Sequence, residues 1–320
     1  MSRIALARQI VGLIGPEVFW QDAYTGWPSH VLVRGESGLQ SVALHVSVVS
    51  PHSRQPWEWR FQNPASCPPV VAPNNSLPVL VGLDEIGGRP VLVVADGRSR
   101  LGRATRFGIL FNKRISQEAA NTGWSEQVSS SGERIYATWP RLFPLLVQIL
   151  WAGGGISTKP IADAAKTSGL LDEDTTQARE RARRTVASYV RDAKFSMQVK
   201  DAYGHRCAMC QVGLGLVAGA HIFPVSAPGS PDSIWNGMAL CHNHHSAFDS
   251  HTVWISRDYM LRIDPQLFQR WDLNPESARF LYQTSQVLRV PLAIEERPRH
   301  DMLQARYNYY AEEYRWAPPF

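Results

Sequence analysis

Two short motifs between residues 207 and 244 carry the side chains best suited to bind a metal ion. They are Cys207-x2-Cys210 and Cys241-x2-His244, each with two potential metal ligands separated by two residues. This spacing lets both side chains of a motif reach one tetrahedral ion, and three thiolates with one imidazole suit Zn²⁺. The pattern therefore predicts a structural zinc site. The alternative is that these are buried thiols held by packing alone.

Cysteine usage outside these motifs gives no sign of a disulfide framework. The 320 residues include four cysteines, and Cys67 stands apart from the other three. The N-terminal Met1-Ser2-Arg3-Ile4 lacks the apolar core of a secretory leader, and no apolar run reaches the ~18 residues of a membrane span. We therefore expect a cytoplasmic protein without a membrane partner, in which the cysteines stay reduced.

Three further polar residues are interleaved with the zinc motifs. His221 lies in a short apolar run that is predicted to be a strand, and Asn236 opens the run that leads into Cys241. His245 directly follows the predicted ligand His244, so its side chain points elsewhere and is available for another role. Considered alone, His221 would be more typical of a core histidine than of a catalytic one.

Together these residues resemble the HNH endonuclease family, which has a ββα-metal core. The resemblance covers roughly residues 195–262. It depends on the segments Ala220-His221-Ile222-x-Pro224 and Asn236-Gly237-x-x-Leu240-Cys241-x-x-His244-His245-x-x-Phe248-Asp249.

The resemblance implies a role for each of the three interleaved residues. His221 becomes the general base that takes a proton from water. His245 becomes a ligand for a divalent cation, Mg²⁺, Mn²⁺ or another, that contacts the scissile phosphate. Asn236 either fixes the loop that orients His221 or binds the cation through its carbonyl oxygen. Zinc then stabilises a small fold with little core of its own.

One position departs from the family pattern. Many HNH enzymes carry a metal-binding Asp immediately before the first His, and this position is Ala220 here. The catalytic cation then has fewer protein ligands, or finds another such as Asn236. Asp249 follows His245 on the predicted helix, where it is either a hydrogen-bonding partner of a histidine or merely a carboxylate on the helix face.

The first 145 residues are predicted to be rich in β-strands. β-branched and alternating patterns favour strands at 31–34, 42–49, 79–83, 90–94 and 107–111, with a hairpin turn at Gly87-Gly88. Ser116 is expected to be the N-cap of a short helix. Further helices are expected at 141–152, 160–169 and 173–203, the last of which is rich in Arg.

These patterns predict an α+β fold in three parts. Residues 1–145 form a β-rich DNA-recognition domain, residues 146–198 form a helical connector, and residues 199–320 form the HNH nuclease domain with a C-terminal helical extension. The connector is either a second DNA contact or only a spacer.

Charge and aromatic content of the N-terminal part favour a nucleic-acid partner. The net charge of +5 is compatible with a polyanionic ligand. Candidate phosphate contacts are Arg98, Arg100, Arg103 and Arg106. The alternative is that these arginines form a solvated charged face without a ligand. A pocket for a flipped base would need aromatic side chains that are accessible to the base. The alternative is that most of the aromatic residues in this part belong to the core. The aromatic residues are Trp20, Tyr24, Trp27, Trp57, Trp59, Phe61 and Trp124.

The whole architecture resembles modification-dependent (type IV) restriction endonucleases. In these a reader domain, often SRA-like or otherwise PUA-like, senses a modified base. The resemblance implies cleavage of double-stranded DNA that carries a modified base, and cutting of both strands suggests a homodimer. Two alternatives remain: a conventional sequence-specific enzyme that cuts unmodified DNA, and a zinc-stabilised DNA-binding protein without cleavage. The intact His221, Asn236 and His245 argue against the last.

Overall fold

The computed structural model of the chain describes residues 2–21, 27–36, 38–153, 156–270 and 273–320. The chain divides into two compact units, Met1–Val190 and Arg191–Phe320. The boundary falls inside the segment 146–198, for which the sequence predicts a connector. Helices and strands occur in both units, so the predicted α+β class is confirmed. Within the described residues, no helix combines the length and apolarity needed to cross a bilayer.

The N-terminal unit follows the predicted β-rich pattern. Its described strands are β1 (Val18–Trp20), β2 (Ser29–Gly35), β3 (Gly38–Val48), β4 (Ser50–Pro51), β5 (Glu58–Gln62), β6 (Leu77–Ile86), β7 (Arg89–Asp96), β8 (Gly108–Asn112), β9 (Trp124–Val128) and β10 (Arg134–Thr138). Its helices are α1 (Arg3–Ile14), α2 (Lys113–Thr122), α3 (Phe143–Ala152), α4 (Lys159–Thr167) and α5 (Thr176–Ala202), which continues past residue 190. Gly87 and Gly88 make the predicted turn between β6 and β7, with φ angles of 57° and 78°.

The prediction that Ser116 caps a helix is wrong. Helix α2 begins earlier, at Lys113, and its N-cap is Asn112, whose side chain accepts a hydrogen bond from the Arg114 amide. Asn is as good a cap as Ser, and Asn112 stands directly at the end of β8, where the chain must turn. Ser116 is buried inside the helix.

Seven described strands form the main sheet of this unit, in the order β1-β2-β3-β6-β7-β10-β9. Strands β3 and β6 pair in parallel, with Leu44 opposite Val79, whereas the other neighbours pair antiparallel. A smaller sheet has the order β4-β5-β8. The continuous apolar runs of β6 and β7 are buried, as expected of central strands covered on both faces.

The C-terminal unit is built around a hairpin and the helix that follows it. The hairpin is β11 (Val217–His221) with β12 (Gly237–Cys241), and helix α6 (His242–Asp249) follows β12 directly. The later elements are β13 (Val253–Ile255), β14 (Leu261–Ile263), α7 (Pro275–Gln283) and α8 (His300–Tyr309). The order strand, strand, helix is the ββα core that the resemblance implied.

The last part of α5 packs closely on this hairpin, and two glycines make the approach possible. A Cβ at Gly237 would lie 2.5 Å from Val199, and a Cβ at Gly219 would lie 2.7 Å from the Cα of Ser196. Phe195 and Val199 are buried in the same apolar cluster as the hairpin. This packing sets Phe195 beside His221, the last residue of β11.

Candidate active site

The four predicted zinc ligands come together in one cluster. Their ligand atoms all lie within 4.8 Å of one another. The Sγ atoms of Cys210 and Cys241 are 3.8 Å apart, and Nδ1 of His244 lies 3.6 Å from Sγ of Cys207 and 3.2 Å from Sγ of Cys241. Tetrahedral Zn²⁺, with Zn–S of about 2.3 Å and Zn–N of about 2.0 Å, places neighbouring ligands about 3.5–3.8 Å apart. The cluster therefore fits a zinc ion.

A threonine outside the two motifs fixes the orientation of the histidine ligand. The Thr284 hydroxyl donates to the carbonyl of Phe280 at 3.0 Å and lies 2.9 Å from Nε2 of His244. With its proton already given to the carbonyl, the hydroxyl accepts from Nε2–H. The lone pair of His244 is therefore on Nδ1, which faces the thiols. Such outer partners raise the affinity of a metal site, and the zinc motifs did not reveal this one.

The thiols of the cluster differ in their ionisation. Burial alone would raise the pKa of Cys207, but hydrogen bonds from nearby backbone amides lower it. Burial and the neighbouring thiols raise the pKa of Cys210 to about 12. Sulfur atoms this close resist joint ionisation unless a cation is present, so the cluster is suited to a divalent ion rather than to three free thiols. Among the described residues, it is the one group of three or more His, Cys, Asp or Glu side chains placed to hold a metal.

His221 lies at the end of β11 with a carboxylate partner that the sequence patterns did not reveal. Its Nε2 is 2.9 Å from Oδ1 of Asp232, and Oδ2 of Asp232 is 3.2 Å from Nε of Arg191. The ring of Phe195 stacks on the imidazole with centroids 3.7 Å apart and an interplanar angle of 10°. Because a carboxylate can only accept, Nε2 carries the proton, and in the neutral imidazole Nδ1 then presents a lone pair.

Asn236 is buried and holds the loop between β11 and β12. Its Oδ1 accepts from the amide of Phe223 at 2.9 Å. Its Nδ2 lies 2.9 Å from the carbonyl of Pro231 and 3.2 Å from both the Phe223 carbonyl and the Ser230 hydroxyl. The residue thus ties both ends of the loop that starts after His221 and carries Asp232. These contacts are of the kind that a loop-fixing residue makes, which is one of the two roles implied by the resemblance.

His245 lies one residue past the predicted zinc ligand His244 and faces a different direction. His244 is buried, whereas the side chain of His245 is 30% exposed. Its Nε2 is 3.4 Å from Oδ2 of Asp249, one helical turn further along α6. His244 and His245 therefore project from different sides of α6, His244 towards the predicted zinc cluster and His245 towards solvent.

A buried arginine in α8 joins three parts of the nuclease core. The guanidinium of Arg306 donates to the carbonyls of Ile222 at 3.1 Å and Phe248 at 2.6 Å, and to the hydroxyl of Tyr314 at 2.8 Å. It also lies 3.8 Å from the centre of the Phe248 ring. Ile222 follows His221, and Phe248 is in the last turn of α6. The C-terminal extension is therefore part of the structure that positions the site.

The predicted basic run of the N-terminal unit is largely paired. Arg98 bonds to Asp96 and to the Leu150 carbonyl, and Arg100 forms an ion pair with Glu133. Arg106 donates to the carbonyl of Asn63 at 2.7 Å, although the residue is exposed. Arg103 is also exposed, and its Nε lies 3.2 Å from the hydroxyl of Thr105. Arg103 and Arg106 thus contact neutral oxygen atoms, whereas Arg98 and Arg100 pair with carboxylates.

The predicted aromatic residues divide between core and surface. Phe61 is buried, Trp27 packs edge-on against His45, and Trp59 lies under the Lys113 ammonium. Trp124 packs against Tyr136, Trp20 is partly buried, and Tyr24 lies outside the described residues. Trp57 is 56% exposed and lines a cavity of about 410 Å³ together with Asn112 and Gln127.

Two segments of the chain match known families. Residues 207–256 match the HNH endonuclease family, and residues 40–147 match a family described as Methylase-associated X1. The first match confirms the predicted endonuclease domain and the enzyme class. No curated protein matches significantly. A solved structure titled "Modification dependent TagI restriction endonuclease" is similar with a TM-score of 0.33 and 13% identity, covering 84% of this chain and 81% of that chain.

Proposed function

We propose that this chain, which carries an HNH endonuclease domain, is a restriction endonuclease that cuts double-stranded DNA and is directed to a modified base by its N-terminal unit. The observation that carries the nuclease chemistry is the 2.9 Å contact between His221 and Asp232, within a ββα core that also gathers the zinc ligands. The direction to modified DNA is supported by the order of the two parts, a β-rich unit followed by the nuclease.

The geometry of His221 suits general-base catalysis. Asp232 accepts the Nε2 proton, so Nδ1 of the imidazole is able to take a proton from an attacking water. The carboxylate then stabilises the imidazolium that forms, and the stacked Phe195 limits rotation of the ring. Asn236 holds the loop on which Asp232 lies. A divalent cation bound at His245 would neutralise charge that develops on the phosphate and on the leaving oxygen.

Several finer features belong to the same proposal. Zn²⁺ fills the Cys207, Cys210, Cys241 and His244 cluster, and Mg²⁺ or Mn²⁺ serves the catalytic site. The enzyme is cytoplasmic. One HNH site cuts one strand, so cleavage of both strands calls for a homodimer or for two successive nicks. Light scattering of the DNA complex tests this point, and a mass with one protein chain would contradict the homodimer.

A second candidate is a conventional sequence-specific enzyme that cuts unmodified DNA. The observation that favours it is the match of residues 40–147 to the family described as Methylase-associated X1. An enzyme that cuts unmodified DNA needs a methylase to protect the DNA of its own cell. In that case the N-terminal unit would recognise a sequence that methylation hides.

A cleavage assay on matched substrates separates the two candidates. The same duplex is prepared unmodified and with methylcytosine, hydroxymethylcytosine, methyladenine or phosphorothioate, and is incubated with Mg²⁺, Mn²⁺ or Ni²⁺. Cutting confined to one modified set supports the first candidate, whereas cutting of the unmodified set supports the second. His221→Ala should bind DNA without cutting. Binding by the wild type without cutting in any metal would contradict both.

A further inference from the structure

We propose that Asp249 and His245 together hold the catalytic cation, so that Asp249 supplies the carboxylate that is absent at Ala220. This inference rests on the proposed nuclease function, and it names the residues that hold the ion. It concerns one face of helix α6, the face that carries the Nε2 atom of His245 and the Oδ2 atom of Asp249.

The ligands suggested by the sequence leave the ion with too few protein contacts. Ala220 has no donor atom, and its side chain is buried in the apolar cluster of the unit. The amide of Asn236 is fully buried, and both of its polar atoms are engaged by the loop. His245 is then the single ligand among the pattern residues, and one imidazole binds Mg²⁺ or Mn²⁺ weakly because these ions prefer oxygen ligands.

The separation of the two side chains suits shared coordination. Nε2 of His245 and Oδ2 of Asp249 are 3.4 Å apart, which is long for a hydrogen bond. Two neighbouring ligands at about 2.1 Å from an octahedral ion lie about 3.0 Å apart, and further apart when the angle opens. Residues four apart on a helix lie one above the other, so an ion can contact both without any change in the backbone.

Exposure and charge on this face also favour a cation. The side chains of His245 and Asp249 are 30% and 60% exposed, so phosphate oxygens and water can complete the coordination shell. The carboxylate offsets the positive charge of the ion. His251 is a poorer candidate, because its Nδ1 lies 3.3 Å from the Arg306 guanidinium, whose positive charge repels a second cation.

Direct binding of Mn²⁺ tests the assignment apart from cleavage. Full-length protein with its zinc in place is titrated with Mn²⁺ and followed by electron paramagnetic resonance, with zinc content measured in each sample. Asp249→Asn and His245→Ala should each weaken Mn²⁺ binding at least tenfold while zinc content stays the same. Asp258→Asn, which changes an exposed carboxylate of the same unit, should leave binding unchanged. The concentration of Mg²⁺ needed for half-maximal cleavage should rise in Asp249→Asn.

Three results would distinguish failure of this inference from failure of the proposed function. Wild-type affinity for Mn²⁺ in Asp249→Asn, with loss of binding in His245→Ala, would overturn the role of Asp249. Equal binding in the wild type and both variants would overturn the whole site. If binding depends on both residues but no DNA substrate is cut, the cation site stands and the nuclease function fails.

Discussion

The carboxylate of Asp232 lies 2.9 Å from Nε2 of His221 and fixes one tautomer of the imidazole. Arg191 contacts the other carboxylate oxygen at 3.2 Å, so Asp232 is itself held in place. In the proposed mechanism Nδ1 is the nitrogen that acts as the base, since the nitrogen bonded to Asp232 already carries a proton. Asp232, in the loop between β11 and β12, therefore determines which nitrogen of His221, at the end of β11, carries the proton.

Replacement of Asp232 by Asn should reduce cleavage without a loss of DNA binding. The amide of Asn can donate to Nε2 of His221, which favours the tautomer with its proton on Nδ1 and removes the base. We expect single-turnover cleavage to fall about 100-fold. Asp301→Asn removes a carboxylate that pairs with Arg299 in the same unit and should cut normally. Wild-type cleavage by Asp232→Asn would refute the role given to this carboxylate.

Removal of the Thr284 hydroxyl should weaken zinc binding. In Thr284→Val, Nε2–H of His244 loses its acceptor, and we expect zinc affinity to fall about 10- to 100-fold in competition with a chelator. Thr252→Val is the matched control, because its hydroxyl also bonds to a helix carbonyl, that of Ala247 at 2.7 Å, but touches no ligand. Equal loss of zinc from both variants would point to general destabilisation instead.

Substitution of Arg306 by Met should destabilise the nuclease unit. The change leaves the buried carbonyl of Ile222 without its Arg306 donor, which costs about 1–3 kcal/mol, whereas the Phe248 carbonyl keeps the amide of His251 at 3.1 Å. Urea unfolding of the full chain should show a lower midpoint, with cleavage reduced because β11 and α6 lose their common anchor. Arg306→Lys keeps the charge but reaches fewer acceptors, so it should lie between the wild type and Arg306→Met. Unchanged unfolding of Arg306→Met would contradict the anchoring role.

Acid should loosen the N-terminal sheet through His45. Its Nδ1 donates to the carbonyl of Ala43 at 3.0 Å, and its Nε2 accepts from the Val71 amide at 3.3 Å, so the neutral ring is fully satisfied. Burial lowers the pKa of His45 to about 4. The unfolded chain binds a proton near pH 6.5, so stability is present above that pH and is lost as the pH falls towards 4.

The predicted loss between pH 7 and pH 5 is about 2 kcal/mol. Hydrogen exchange of β3, corrected for the intrinsic effect of pH on exchange, measures the free energy of opening. His45→Gln should lack most of this pH dependence. An equal loss in the variant and in the wild type would assign the effect to other groups.

Replacement of Arg103 should affect DNA binding, whereas replacement of Arg100 should affect the stability of the N-terminal unit. Arg103→Ala should weaken DNA binding to a similar degree for all sequences and reduce the slope of log affinity against log salt by about 1. Arg100→Ala should instead lower the stability of the unit, because it removes the partner of Glu133. A salt slope that changes with Arg100 but not with Arg103 would reverse this assignment.

The parts of the site that follow local spacing could be predicted from the sequence. The ligands Cys207, Cys210, Cys241 and His244 and the strand-strand-helix order are set by short-range patterns, and the structure brings them together. The partners Asp232, Thr284 and Arg306 could not be found in this way. Each meets its target through a loop or a distant helix, and a single polar residue in such a segment carries no periodic signal.

The same limit applies to the N-terminal unit. Its strands follow from β-branched runs, but the parallel pairing of β3 with β6 depends on which strands become neighbours in space. The basic run looked like a phosphate-binding face because charge can be counted in a sequence whereas pairing cannot. Glu133, the partner of Arg100, lies far along the chain from it.

The contacts that the C-terminal extension makes with the nuclease core determine how much of the chain a fusion protein must include. The HNH match ends at residue 256, yet the hydroxyl that orients His244 belongs to residue 284 and the guanidinium that bonds to Ile222 belongs to residue 306. A chimera that grafts only the matched segment onto another DNA-binding protein would carry the proposed catalytic and zinc-binding side chains without Thr284 and Arg306, which hold them. The segment to include in such a chimera is therefore the whole compact unit of residues 191–320.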